Sequence, residues 1–530
     1  MTTIRFLAVL DRCLRSSARL GIVRTLLLAA AVPLVLRLLL LPVFPLPLPE
    51  VHDEFSYLLL ADTFAHGRLV NPAPALPEFF ESFHILVTPV YASMYPVGQG
   101  LVLAAGQVLL GQAWWGVFGA VGLMCAAVAW LLRAFMPRRW AVVGSIAFGL
   151  IYGVEHYFMN SYWGAPLATA AGAVMAGALA RIVLPREGPG HPVLYGFLVG
   201  AGAGVLLHTR PWEGFCAALP VALVFLWWLV RSGWKTFGQR LGRVAFPAVL
   251  TVSVAGAALL AYDARVTGNP LEPPYLLNLN RYYIAPLFVF QSEKPAPSYN
   301  NEVMRRFYVG WRESERSIRQ DVDAKSPLYG FWLWFRAFKI VGGAVLSLLL
   351  LLALRRDSRT LLLSVLLGGF LAGLSFQSVR LFHYLAPGLG LLAVSVVLGL
   401  RALSTFRIRG RRIGRHLAAV LVLAAAVGLV RNTVLTLRPG ERGYGIRRAD
   451  LIAHLSAEEG RHLVFVEYGP RHVVHQEWVY NGADLEGARI LFARSISREA
   501  NEHLLARYPG RRAWLLRPDE ADRLIPYPRP

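Results

Sequence analysis

Apolar residues in this chain run on far more often than they alternate with polar ones. Windows at roughly 25–45, 113–135, 140–158, 164–183, 193–210, 214–230, 244–262, 331–354, 360–378, 383–402 and 416–431 approach or reach the ~18–20 residues a helix needs to cross a hydrocarbon core. They predict about eleven transmembrane helices. Val97–Gly111 is also apolar but, at about 15 residues, falls short of a span and reads as a re-entrant or interfacial helix. Two long polar loops interrupt the series, at about 46–112 and 263–330, and a tail follows from 432 to 530. In that tail His462–Glu467, Ala488–Arg494 and Ala513–Arg517 read as short buried strands. Helical patterns at Arg448–Leu455 and Arg498–Tyr508 alternate with them. Strands separated by helices predict a small α/β layer with a parallel sheet.

Composition agrees with the periodicity. The 530 residues are 55% hydrophobic and 16% charged, with a mean hydropathy of +0.47, whereas soluble domains carry about 25% charged residues. The net charge of +22 invites a nucleic-acid reading, but its distribution argues against one. Basic residues gather between spans: Arg138-Arg139, then Arg231, Lys235, Arg240 and Arg243, then Arg355-Arg356 with Arg359. The densest group is Arg401, Arg407, Arg409, Arg411, Arg412 and Arg415. This is the positive-inside pattern, facing anionic lipid, and no nucleic-acid partner is expected. With Arg5, Arg12, Arg15 and Arg19 it predicts a cytoplasmic N-terminus and places both long loops and the tail outside. Arg24 and Arg37 flank the first run with no small-residue cleavage site after it, so that run reads as a retained span. Only four of the 54 basic residues are lysine, which reads as GC-rich bacterial coding. Cys13, Cys125 and Cys216 avoid the external segments, so no disulfide framework is expected.

Candidate chemistry collects at the external ends of the spans. His52-Asp53-Glu54, with Tyr57, opens the first loop where the first span should end. A carboxylate there can take the proton of an attacking hydroxyl. Equally, two acids can stabilise the start of a helix expected over about Phe55–His66. Further along, Glu81 and His84 would share one face of a helix and suit a divalent metal, or be an ordinary hydrogen-bonded pair. Tyr95-Pro96 with Gly98-Gln99-Gly100 reads as a tight structural turn. Glu155 and His156 sit among aromatics, either lining a cavity or belonging to an interfacial belt. Arg210 is a cation in an external turn, against the positive-inside bias. It can pair with Glu213 or bind an anionic headgroup. Arg380 repeats the anomaly in the turn with His383 and Tyr384, where a lipid-phosphate site is the favoured reading. Arg281-Tyr282-Tyr283, Lys294, Arg305 and Arg306 in the second loop read mostly as solvated.

This layout resembles the C-type glycosyltransferases, and within them the branch of protein O-mannosyltransferases and lipid A aminoarabinose transferases. The likeness spans most of 20–405 and concentrates in VHDEFSYLLLADTFAHGRLVNP (Val51–Pro72), with weaker support from HTRPWEG and VRLFHYLAP. It implies an all-α polytopic membrane module over 1–431 and an appended α/β extracytoplasmic domain over 432–530, to which no catalysis is assigned. It further implies an inverting hexosyl- or pentosyltransferase in a bacterial inner membrane. The donor would be a polyprenyl-phosphate sugar, the acceptor a lipid, glycan or protein at the periplasmic face, and membrane lipids the remaining partners. Carried over, Asp53 is the base and Glu54 its acidic partner. His52, Tyr57, Glu155, His156, Arg210, Glu213, Arg380, His383 and Tyr384 bind substrate, with the two arginines on the donor phosphate. Members differ in metal use, so a divalent cofactor at Glu81 and His84 stays open. The rival expectation is a transporter or flippase for a lipid-linked or anionic solute, which would place ionisable groups deep within spans and show internal repeats.

Overall fold

In the computed structural model, the residues described are 20–184, 190–231, 233–319, 328, 331–332, 334–335, 338–354, 357–411, 413–436, 443–520 and 522–527. Expectations resting on Arg5, Arg12, Cys13, Arg15, Arg19, Arg355-Arg356 and Arg412 lie outside them. Among the described residues, seven helices are long and apolar enough to cross a membrane: Ile22–Leu39, Trp114–Phe135, Ala165–Val183, Pro211–Val230, Thr236–Thr267, Phe382–Thr405 and Ile413–Arg431. The chain is a multi-pass membrane protein. The other four expected spans are helical but shorter, at Arg138–Tyr152, Pro192–Leu207, Lys339–Leu354 and Ser358–Leu374. Arg138–Tyr152 stops at Gly153, several residues before the expected end, and 153–164 follows as irregular chain. Val97–Leu110 forms a 14-residue helix, too short for a span.

Burial separates the centre of the bundle from its rim. Of the apolar windows in Ala165–Val183 and Phe382–Thr405, 78% is buried, against 17% in Thr236–Thr267 and Ile413–Arg431. The two central helices approach closely because small residues face each other. A Cβ at Gly172 would lie 1.9 Å from the carbonyl oxygen of Pro387, so any larger residue would force the backbones apart. The first helix ends in Arg37, fully buried, which donates to the carbonyls of Phe44 and Pro45 at 2.8 Å and to Asn160 Oδ1 at 2.9 Å. It thereby ties the start of the first loop to the turn around 160.

The first loop carries the helix His52–Ala65 and three short strands, β1 (Asn71–Pro72), β2 (Ile85–Leu86) and β3 (Val90–Ser93), with β3 between the other two and antiparallel to both. In the tail, β4 (Arg461–Val466), β5 (Ile490–Arg494), β6 (Arg511–Arg517) and β7 (Arg523–Pro526) form a sheet in the order β5-β4-β6-β7. β4 runs parallel to β5 and β6, as the pattern predicts, and β7 adds an antiparallel edge. Helices Tyr444–Ala457 and Arg498–Arg507 accompany it.

The core of this sheet is continuous with the first loop. Phe55, Leu59, Phe79, Phe80, Ile85 and Tyr91 pack in one buried cluster with Phe465, Trp478, Tyr480 and Phe492. Polar ties reinforce the seam: Asp62 Oδ2 accepts from Ala483 N at 2.7 Å, Glu50 Oε2 from Gly445 N at 3.0 Å, and Asn481 O from Tyr91 Oη at 3.2 Å. The reason is local composition. The helix His52–Ala65 is apolar on more than one side, so it has a face for the bundle and another for the tail.

Candidate active site

The helix His52–Ala65 begins earlier than the periodicity predicts, and Glu54 accounts for it. Its Oε2 accepts the backbone N–H groups of Glu50 and Val51 at 2.9 and 3.1 Å, satisfying donors that a helix start leaves open. Its Oε1 reaches across to Tyr162 N at 3.1 Å. Gln99 Nε2 donates to the carbonyl of the same Tyr162 at 2.9 Å, so two side chains hold one residue of the 153–164 turn. Burial raises the Glu54 carboxyl to about 7, against the pull of those backbone donors. Glu54 is buried and spent on the frame.

Asp53, one residue earlier, faces the other way and keeps 22% of its side-chain surface open. Tyr95 donates to its Oδ1, and His52 Nδ1 lies 2.9 Å from its Oδ2. Burial alone would raise its pKa. The hydrogen bonds from His52 and Tyr95, with the imidazoles of His52 and His84 beside it, outweigh that and hold the carboxyl well below the usual range. Asp53 is therefore an anion at any physiological pH.

His84 comes to Asp53 from the far side of the loop. Residues 81–84 are not helical, and His84 sits at φ +61°, a left-handed conformation that costs a non-glycine residue energy and clusters at functional sites. Ser56 Oγ and Met94 N fix it there by donating to its carbonyl at 2.7 and 3.1 Å. Its Nδ1 lies 2.9 Å from His52 Nδ1 and 4.0 Å from Asp53 Oδ1, while its Nε2 meets Tyr283 Oη at 2.9 Å. Burial, with the charges of His52 and His475, lowers its pKa to about 3 in spite of Asp53. Donor atoms of His52, Asp53 and His84 all fall within 4.8 Å of one another. Glu81, expected to pair with His84 on a helical face, turns elsewhere because the helix is not formed. Its carboxylate accepts from Tyr282, Asn300 and Asn301 of the second loop at 3.2, 3.0 and 3.2 Å.

The turn His208–Gly214 brings Arg210 to the same space. Gly98 makes this contact possible: its N–H donates to His208 O at 2.8 Å, and a Cβ there would lie 2.6 Å from Thr209 Cγ2. The Tyr-Pro-x-Gly stretch thus seats Tyr95 beside Asp53 and the arginine turn beside Tyr95. The Arg210 guanidinium lies 5.5 Å over the Tyr384 ring and interacts electrostatically with Tyr57, Tyr95 and Glu213. Glu213 spends its own carboxylate on Gln377 Nε2 at 2.9 Å, so among the described residues it makes no ion pair with Arg210. Tyr57 stacks on Tyr95 at 4.3 Å. Asp53 and Arg210 both act electrostatically on Tyr57, Tyr275, His383 and Tyr384, so the acid and the cation share these four neighbours.

Not every expected residue joins them. His156 lies in an aromatic nest of Tyr152, Tyr157, Phe158 and Phe382, and half-buried Glu155 precedes it. Arg380 Nη1 donates to the carbonyl of Ser378 at 3.1 Å, within its own turn. The second loop is far from solvated: Tyr282 is buried, Tyr283 holds His84, Arg281 donates to Thr88 Oγ1 at 2.9 Å and Arg306 to His472 O at 3.0 Å. A cavity of about 400 Å³ opens beside Tyr283, walled by Leu276, Leu279 and Leu287 and edged by Lys294. Sequence reasoning missed Tyr95 as a partner of Asp53, and it missed Tyr275, Tyr283 and the tail's His475. Tyr283 had a signal in the Arg-Tyr-Tyr run; His475 had none.

No protein-family model and no curated protein sequence matches the chain. Solved structures do. ArnT from Cupriavidus metallidurans bound to undecaprenyl phosphate is similar with a TM-score of 0.51 at 16% identity, over 93% of this chain and 93% of that one. An oligosaccharyltransferase from Archaeoglobus fulgidus, tethered to an acceptor peptide, is similar with a TM-score of 0.50 at 11% identity, over 89% of this chain and 63% of that one. The chain shares the fold of these two membrane transferases, as the resemblance seen in its sequence led one to expect. At these identities the likeness is one of fold.

Proposed function

We propose that the chain is an inverting membrane glycosyltransferase that moves one sugar from a polyprenyl-phosphate donor to a hydroxyl acceptor. The reaction would run at the periplasmic face of a bacterial inner membrane, with the N-terminus in the cytoplasm. One observation carries the reading: the partly open carboxylate of Asp53 and Arg210, which lacks a salt-bridge partner among the described residues, share the neighbours Tyr57, Tyr275, His383 and Tyr384. Asp53 accepts the hydrogen bond of the incoming hydroxyl. As the acceptor oxygen bonds to the anomeric carbon, its proton passes to the carboxylate. The bond from that carbon to the phosphate oxygen breaks, and the electron pair leaves with the polyprenyl phosphate. Because the Asp53 carboxyl is so weakly basic, the proton moves as the new bond forms rather than before it. Arg210 balances charge on the departing phosphate, and its planar fork suits two phosphate oxygens. Tyr57, Tyr384 and His383 are neighbours common to Asp53 and Arg210. Glu54 holds the helix start and the Tyr162 turn in place and so acts through the position of Asp53.

A divalent cation fits this site at His52, Asp53 and His84 rather than at Glu81. Two buried Nδ1 atoms face each other at 2.9 Å with room for one proton between them, and a carboxylate completes a nitrogen-rich donor set of the kind zinc takes. The Tyr283 hydroxyl on His84 Nε2 would orient the ring as outer partners of metal-bound histidines do. When bound, such an ion would supply Lewis-acid charge beside the acceptor oxygen.

Mass analysis of envelope glycans and lipids from a deletion strain tests the function. One sugar residue should disappear and return with the wild-type gene; an unchanged profile counts against a transferase. Arg210→Ala should weaken undecaprenyl phosphate binding to the purified protein about 10–100-fold, since a hydrogen bond to a charged group is worth ~1.5–3 kcal/mol. Equal affinity in the variant would remove Arg210 from the phosphate.

A further inference from the structure

The tail contributes one side chain to the reaction centre. His475 lies on the segment between β4 and β5. Its imidazole stacks on His52, ring centroids 5.6 Å apart and planes 28° from parallel, and meets Phe307 edge-on at 5.8 Å. It is solvent-exposed, and among the described residues neither ring nitrogen has a hydrogen-bond or ion-pair partner. Its electrostatic neighbours are His52 and Asp53. A residue so placed by accident would sit on a loose loop. This one does not.

The segment is strapped at both ends. On one side Gly469 N donates to Asp519 Oδ2 at 2.8 Å, and His472 Nδ1 meets Asp519 Oδ1 at 2.9 Å. On the other, Glu477 accepts from Tyr468 Oη and from Val479 N at 2.9 Å, and pairs with Arg494 at 2.6 Å in full burial. Arg494 Nε then donates to the carbonyl of Glu81 in the first loop at 2.8 Å. Arg447 holds Gln476, next to His475, at 2.7 Å. The tail is thus fastened to the loop that carries His52, Asp53 and His84, with a free imidazole hung over that cluster.

Arg210 and Tyr384 come from turns of the bundle, and His475 comes from the tail. Exposed to solvent beside the Asp53 that takes the acceptor's proton, His475 stands where an incoming hydroxyl would meet the base. We propose that His475 is an acceptor-positioning residue, hydrogen-bonding a hydroxyl of an acceptor that enters between the tail and the first loop. The inference rests on the transferase reading above.

The test uses the full chain in a deletion strain and as purified protein, with His475→Ala, His475→Gln and, as a loop control, Val473→Ala. Two quantities are read: the sugar restored to the envelope, and the affinity for undecaprenyl phosphate. His475→Ala should lower product at least tenfold and leave undecaprenyl phosphate affinity within twofold. His475→Gln, which keeps a hydrogen-bonding group, should recover much of the product, and Val473→Ala should match wild type. The inference is overturned if His475→Ala makes wild-type amounts of product, if it weakens undecaprenyl phosphate as Arg210→Ala does, or if Val473→Ala loses as much product. Failure of the transferase reading has a different signature: no sugar missing from the deletion strain, and undecaprenyl phosphate binding indifferent to Arg210.

Discussion

Asp53→Asn is expected to lower sugar transfer about 10²–10⁴-fold, the usual span for loss of a general base, while undecaprenyl phosphate affinity stays within twofold. The amide matches the carboxylate in size and its oxygen still accepts the hydrogen bond from Tyr95. What it loses is the charge and the ability to take a proton. Arg210 is unchanged and keeps its hold on the phosphate, so binding and chemistry should separate. Complementing a deletion strain with the variant and weighing the restored glycan gives the first quantity. Titrating the purified variant with undecaprenyl phosphate gives the second. More than a tenth of wild-type product would take Asp53 out of the reaction. Loss of both quantities together would make it a structural residue.

Glu477→Ala should produce the largest stability effect. Glu477 and Arg494 are buried together, at 0% and 4% side-chain exposure, and removing one partner of such a pair costs ~3–5 kcal/mol because the other charge is stranded. The same carboxylate also takes Tyr468 Oη and Val479 N, and those donors lose their acceptor too. Damage should begin where the tail meets the first loop, since Arg494 also donates to Glu81 O. Limited proteolysis in detergent is expected to cut the 468–480 segment much faster than in wild type, with a lower melting temperature. Glu477→Gln should fall between the two, because it keeps hydrogen-bond acceptance and loses the charge. A tail equally protected in Glu477→Ala would mean that the shared apolar cluster, rather than the ion pair, holds the seam.

The candidate site was legible in part, and the division follows sequence distance. His52, Asp53, Glu54 and Tyr57 are consecutive or one turn apart, and acids at a span end carry their own signal. Arg210 stands out because a cation in an external turn breaks a charge rule, and Tyr384 is singled out with Arg380, which repeats that anomaly. The placing of Arg210 over the Tyr384 ring and near Tyr95 goes with Gly98 letting the Tyr95 turn lie against His208–Thr209. Glu81 was misplaced for a local reason: a pair three residues apart shares a face only in a helix, and Ser56 and Met94 hold His84 in a left-handed turn instead. The family resemblance makes Glu54 the acidic partner of Asp53, which requires the two adjacent side chains to face one way. At a helix start they do not, and one caps while the other points out.

From the sequence alone came the membrane class, the positions of the apolar helices, the strands of the tail and the acid at the head of the first loop. Each is written in a local pattern: the length of an apolar run, the period of its alternation, a charge where charge is costly. Tertiary structure alone decided which helices reach full span length, how the tail joins its core to the first loop, and which side chains gather near Asp53. Those outcomes turn on contacts between residues hundreds of positions apart, such as Arg494 with Glu81 and His475 with His52. Nothing in the local pattern around either partner registers the other, because packing and desolvation act on neighbours in space.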